Sequence, residues 1–255
     1  MSRADSWAES LAAWAIPEEI LRQAPESPWI HPPVLFQLPA VIPDSPSHER
    51  AREVLSAQGS VLDVGCGGGI AAFALTPPAS LVVGVDHQGE MLEMFTANAR
   101  ERGVTSEVVE GFFPAVADQI PVCDVAVSHH VVYNVADIVP FVTSLSEKAR
   151  RRVVIEMPQS HPLATMAPAW KHFWDLERPD GPHHDDFAVV VREAGFEPHV
   201  ELFDGVMRRE QTPEQAAHFM RIRLCLGPER EGEVAEFFAA QAPTASPLAC
   251  VWWDL

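Results

Sequence analysis

The run Val61-Leu62-Asp63-Val64-Gly65-Cys66-Gly67-Gly68-Gly69 constrains this chain more than any other stretch. An apolar strand runs directly into a turn in which four of five residues are glycine. Glycine lets the backbone turn tightly and lets a ligand approach it, because no Cβ stands in the way. Asp63, two residues before the first glycine, weighs on the choice of ligand. In a dinucleotide-binding loop the amides of such a turn face a pyrophosphate. A carboxylate beside that site would repel phosphate and suits a ligand with a cationic end. Two alternatives stand beside this. Gly67-x-Gly69-x-x-Ala72 formally matches a dinucleotide fingerprint, as in an NAD-dependent enzyme, and a tight turn can also occur with no ligand.

Beyond the loop, strand and helix alternate. Ser60–Val64, Leu81–Val85, Glu107–Val109, Val122–Val127 and Val153–Met157 read as strands. Ile70–Leu75 reads as a short helix stopped before Pro77-Pro78. Gly89–Arg102 reads as a helix with Met91, Leu92, Phe95 and Ala99 on one face and Gly103 as its stop. Asp137–Arg150 reads as a helix with Pro140 in its first turn, which leaves Arg150-Arg151-Arg152 at its end. Further on, Asp185–Ala194 reads as a helix and His199–Phe203 as a strand. Thr212-Pro213-Glu214-Gln215 reads as a capping box opening a helix to about Leu224. Glu229–Gln241 is a further helix and Leu248–Trp253 a last strand. Near-continuous apolar strands separated by helices predict an α/β fold of three layers, a seven-stranded, mostly parallel sheet with helices on both faces.

The pattern D-x-G-x-G-x-G, present as Asp63 to Gly69, resembles the first motif of class I S-adenosylmethionine-dependent methyltransferases. The resemblance covers residues 55 to about 205 and implies a Rossmann-like sheet whose last strand inserts antiparallel beside the fifth. It implies S-adenosylmethionine as methyl donor and S-adenosylhomocysteine as product. Asp63, Gly65, Cys66 and Gly67 then form the loop under the cofactor. Asp86, at the end of the second strand, is placed to accept both ribose hydroxyls, with His87 and Met91 beside ribose and adenine. As a simpler reading, Asp86 is a helix cap. After the third strand the family often reads G-D-A, whereas this chain reads Gly111-Phe112-Phe113. Phe112 takes the place of the adenine-contacting Asp, where it can stack on adenine or only pack. Ser128 and His129 follow the fourth strand on the cofactor side. The [DN]-P-P-[YF] motif of enzymes that methylate exocyclic or amide nitrogens is absent. Ser128-His129-His130-Val131 instead resembles the group acting on small-molecule and lipid-like acceptors. A cofactor-binding module without turnover is the alternative from another class.

A hydroxyl acceptor needs a base near neutral pH, and histidine is the usual one. Side-chain alternation puts His130 on the acceptor side of the fourth strand's end, with His161 as the second candidate. A histidine that only bonds backbone is the plain alternative. Residues 1–46, with Trp7, Trp14, Trp29 and His31, are expected to form an N-terminal helical cover over a methyltransferase domain at 47–255. Within that domain, residues 158–184 are expected to form a lid, and 207–247 a helical excursion splitting the final hairpin. Trp29, His31, Tyr133, Trp170 and Trp174 are expected to line the acceptor pocket, although such tryptophans also serve as anchors for accessory helices.

Charge narrows the partners. With 18 basic against 36 acidic residues the chain carries a net −18 and repels phosphate backbones. Lys148 and Lys171 are its only lysines, so a small-molecule acceptor is expected and nucleic acid is not. No apolar run spans a bilayer and no signal core opens the chain, so no membrane partner and a cytoplasmic place are expected. Cys66, Cys123, Cys225 and Cys250 lack C-x-x-C spacing. In His183-His184-Asp185-Asp186 adjacent histidines do not share a helix face and the acids suit a helix start, so no metal is expected. A homodimer through the ends of the chain is possible.

Overall fold

The computed structural model describes residues 2–29, 36–205, 212–241 and 246–255. Its centre is one seven-stranded sheet. The strands are β1 (Gly59–Val64), β2 (Ala79–Asp86), β3 (Thr105–Glu110), β4 (Cys123–His129), β5 (Ala149–Pro158), β6 (His199–Gly205) and β7 (Ser246–Asp254). Their order is β3-β2-β1-β4-β5-β7-β6. The first five strands pair in parallel, and β7 runs antiparallel between β5 and β6.

Alternation along each strand feeds two apolar layers. On one face Leu62, Val83, Ala126 and Ile155 pack under α1 (Arg3–Ala12), α6 (Ile138–Glu147) and α8 (His184–Glu193), through Trp7, Phe141 and Phe187. On the other, Val61, Val82, Val125 and Val154 pack under α3 (Pro46–Arg52), α4 (Ile70–Phe73) and α5 (Gly89–Arg102), through Ala51, Phe73 and Phe95. This is the three-layer arrangement the alternation predicts.

A third apolar cluster lies apart from the sheet. It joins Ile16 and Ile20 near α2 (Glu18–Leu21), Trp170 and Phe173 of α7 (Ala167–Trp174), Leu224 and Leu226 after α9 (Pro213–Arg223), and Val234 of α10 (Glu231–Ala239). Arg221 is fully buried there, paired with Glu26 at 2.6 Å and with Glu231 at 3.1 Å. The helices that interrupt the final hairpin thus have a core of their own, shared with the N-terminal segment. Thr212 and Gln215 form the expected reciprocal cap of α9.

Two readings need correction. The helix expected to reach Arg150 ends at Glu147, and Arg150-Arg151-Arg152 lie on β5. Arg152 is not a solvated helix end. It is buried, bonding Asp254 of β7 at 2.7 Å and Glu53 at 2.7 Å. Sheet pairing on both sides of β5 outweighs helix continuation there. Residues 158–184, expected as a lid, also hold a helix, α7, that their proline-rich sequence hides.

Candidate active site

The glycine loop leaves β1 with Gly65, Gly67 and Gly69 at positive φ, a conformation other residues rarely adopt. Asp63 does not face out of the cleft. It is 1% exposed, and its carboxylate accepts the N–H of Ala72 on α4 at 3.2 Å. Burial pushes this carboxyl up to about 7. Asp63 therefore fixes the turn and the start of α4, and at neutral pH it carries only part of a charge. Cys66 is buried in the loop, and burial holds its thiol well above the ordinary value, against a nucleophilic role.

Asp86 ends β2 beside the loop. One carboxylate oxygen accepts Gly67 N–H at 3.1 Å and the other accepts Gln88 N–H at 3.0 Å. Each oxygen keeps a lone-pair site. The cap reading and the ribose reading are thus compatible. His87 stacks on Phe112 with ring centroids 4.6 Å apart, and Phe112 is 70% exposed. An exposed ring pair at the carboxyl ends of β2 and β3 is suited to a flat heterocycle. Gly111 has φ +149 and gives its N–H to the Asp86 carbonyl. Met91 is buried on α5. On the loop itself, Phe36 lies close: a Cβ on Gly68 would stand 2.0 Å from the Phe36 carbonyl oxygen.

The ends of β4 and β5 hold a polar cluster. Ser128 is fully buried and its hydroxyl donates to the Val64 carbonyl at 2.8 Å, tying β4 to β1. His129 stacks on His48 of α3 at 5.4 Å, and burial pushes it down to about 3. His129 Nε2 and both ring nitrogens of His48 are buried without a hydrogen bond. His130 sits at φ +61, outside the usual range for its type, and its Nε2 lies 3.3 Å from Glu156 Oε1. Glu156 Oε2 accepts from the Ser45 hydroxyl at 2.9 Å. Burial alone would raise the Glu156 carboxyl, but the imidazoles of His129 and His130 and nearby hydroxyls outweigh it and hold the group well below the usual carboxylate range.

Other expected pocket residues lie elsewhere. Tyr133 is buried against Trp7 and donates to the Pro158 carbonyl at 2.9 Å. His161 stacks on Trp14 at 4.1 Å and accepts from Leu163 N–H at 3.2 Å. Trp170 lies in the third cluster, and Trp174 Nε1 donates to the Leu224 carbonyl. These four side chains anchor helices in the described conformation. Trp29 is half-exposed, and His31 lies outside the described residues. Among residues that sequence reasoning passed over, Glu156 had a visible signal, a lone acid inside the apolar run Val153–Met157. His48, Ser45 and Phe36 had none.

The comparisons with known proteins fit this geometry. A family model described as a methyltransferase domain matches residues 61–151, from β1 into β5. Over that stretch the chain is similar to methyltransferase domains. The chain is 33% identical over 87 residues to a ubiquinone biosynthesis O-methyltransferase of Chelativorans sp., covering 34% of each protein. It is 24% identical over 151 residues to the Cereibacter sphaeroides protein of the same name, covering 54% of this chain and 60% of that one. The chain thus spans between about a third and three-fifths of the length of the curated relatives it matches. Among solved structures, Bacillus subtilis YcgJ shares the fold with a TM-score of 0.54 at 14% identity, over 82% of this chain and 97% of that one. Among the described residues no helix is long and apolar enough to cross a membrane.

Proposed function

We propose that the chain transfers a methyl group from S-adenosylmethionine to an oxygen of a small-molecule acceptor in the cytoplasm. The observation that carries this is Asp86 with the exposed His87–Phe112 pair beside the glycine loop. Asp86 has the free acceptor capacity for two ribose hydroxyls, and the rings offer a stacking face for adenine. Gly65 is the exposed glycine of the loop and gives backbone approach there, and Asp63 holds the turn. When bound, the cofactor supplies an electrophilic methyl on a sulfonium. The chain's task is then to hold donor and acceptor in line, exclude water and remove a proton. His130 lies at the carboxyl end of β4, where ligands sit in open α/β sheets, and is only partly buried. It is assigned as the base. Segment 36–45 roofs the cleft, and 158–184 with the third apolar cluster forms a cap around the acceptor. The names of the curated relatives, both O-methyltransferases, favour oxygen as the acceptor atom.

Calorimetry with S-adenosylhomocysteine and with NAD tests the donor. Binding of the first and not the second is expected, and the reverse overturns the proposal. Release of S-adenosylhomocysteine across a panel of phenols, amines and acids tests turnover. Binding without release for any acceptor would leave a binding module instead.

A further inference from the structure

Glu156 is a buried carboxylate on β5, between β4 and β7, and among the described residues its ion pairs are with two imidazoles and no lysine or arginine. Such a charge is costly to bury unless its partners are well placed. One oxygen is satisfied by the Ser45 hydroxyl at the N-cap of α3. The other lies 3.9 Å from His129 Nδ1 and 3.3 Å from His130 Nε2. His129 is buried against His48, where desolvation opposes its charge. The backbone reinforces the second contact, because His130 N–H donates to the Glu156 carbonyl at 2.7 Å and His130 takes left-handed φ to do so. His130 is thus gripped at two points by one residue, while its ring stays 38% exposed.

We propose that Glu156 is the positioning residue that fixes the His130 tautomer, with the proton on Nε2 and the Nδ1 lone pair turned to an acceptor hydroxyl. The inference rests on the methyltransferase reading and names its substrate class: an acceptor that must lose an O–H proton, such as a phenol, rather than an amine that attacks with a free lone pair. The proton leaves the acceptor oxygen for Nδ1, its bonding pair stays on oxygen, and the imidazolium so formed faces the ionised Glu156. A carboxylate behind an imidazole orients it and stabilises its cation in this way. The other titratable groups near the pair include His129 on β4, His48 on α3, Asp44, which is 3.5 Å from His48, and the buried Cys250 of β7, which pairs in register with Glu156.

Long-range proton–nitrogen NMR of the full chain without ligand reads the tautomer directly. His130 is expected as the Nε2–H form, with that preference lost in Glu156→Gln. His130 protonated on Nδ1 in the wild type, or a tautomer unchanged in Glu156→Gln, overturns the proposal, and neither result depends on the donor. In turnover, Glu156→Gln is expected to lower kcat for a phenol at least tenfold, with the S-adenosylhomocysteine Kd changed less than twofold. Ser45→Ala breaks only the link to α3. An equal loss of kcat in Ser45→Ala would show that Glu156 acts as an anchor and would sink the positioning role. Failure of the wild type to bind S-adenosylhomocysteine would instead overturn the methyltransferase reading and leave the tautomer result standing alone.

Discussion

The carboxylate of Asp63 accepts the backbone N–H of Ala72 across the glycine turn, at 3.2 Å and out of contact with solvent. The acid that marks the loop in sequence is therefore part of the scaffold beneath the ligand face. Its ionisation is opposed by burial, with the nearby charge of Asp86 adding to the shift.

This has a pH signature. The Asp63 carboxyl is raised to about 7 in the fold, against about 3.9 in an unfolded chain. Between those values the folded state binds the extra proton, so this group's contribution to stability falls as pH rises from about 4 to 7. The expected size is on the order of 4 kcal/mol. Asp63→Asn keeps an oxygen for Ala72 and removes the titration. Denaturant unfolding of both proteins at pH 4, 5.5 and 7 should show the variant gaining on the wild type with each step. Parallel curves would show that Asp63 ionises freely.

Asp86 offers a cleaner test of the donor site. Asp86→Ala removes the acceptors for Gly67 and Gln88 as well as the lone pairs proposed for ribose. Charged hydrogen bonds of this kind are worth about 1.5–3 kcal/mol each. Calorimetry should show S-adenosylhomocysteine binding weakened by roughly ten- to a hundredfold. Unchanged affinity would leave Asp86 as a cap alone.

What was legible in advance follows from how local each signal is. The glycine loop, Asp86 and the capping box at Thr212 are carried by adjacent residues, and the structure places them as their spacing implies. The sheet was legible because its inner strands are apolar on both faces. The Glu156 cluster joins α3, β4 and β5, so its members are near one another only after folding. The tryptophans of residues 158–184 were ambiguous for a related reason. An aromatic residue in an irregular segment has the same sequence signal whether it lines a pocket or pins a helix, and Trp170 and Trp174 pin α7 to Leu224 and its neighbours. Arg152 was misplaced because three consecutive arginines resemble a solvated helix end, and Asp254, its β7 partner, lies a hundred residues away.

His161 carries the opposite pH signature to Asp63. Burial between Trp14 and Tyr133, with the cation of Arg178 nearby, pushes it down to about 4, against about 6.5 when unfolded. A histidine depressed in the fold contributes stability that is complete above about 6.5 and is lost as pH falls towards 4, here about 3 kcal/mol. His161→Phe keeps a ring for Trp14 but loses the acceptor for Leu163 N–H. Thermal unfolding should find the variant somewhat less stable at pH 7 and flatter between pH 6.5 and 4. An unaltered slope would mean the ring is solvated and its stack on Trp14 transient.

Gly68 tests the roof over the loop. Its backbone does not need a left-handed conformation, so the only barrier to a side chain is space. A Cβ there would stand 2.0 Å from the Phe36 carbonyl oxygen and 3.0 Å from Met94 Sδ. The thioether can swing away, but a carbonyl belongs to backbone and moves only with its segment. Leu38 and Ile42 pack that segment onto the core beside α4 and α5. Gly68→Ala should therefore lift residues 36–44 from the loop. An unfolding free energy lowered by about 1–3 kcal/mol is expected from the lost packing, with faster proteolysis confined to that stretch. If the variant is as stable and as protease-resistant as the wild type, Phe36 does not rest on the loop, and the roof must come from another part of the chain.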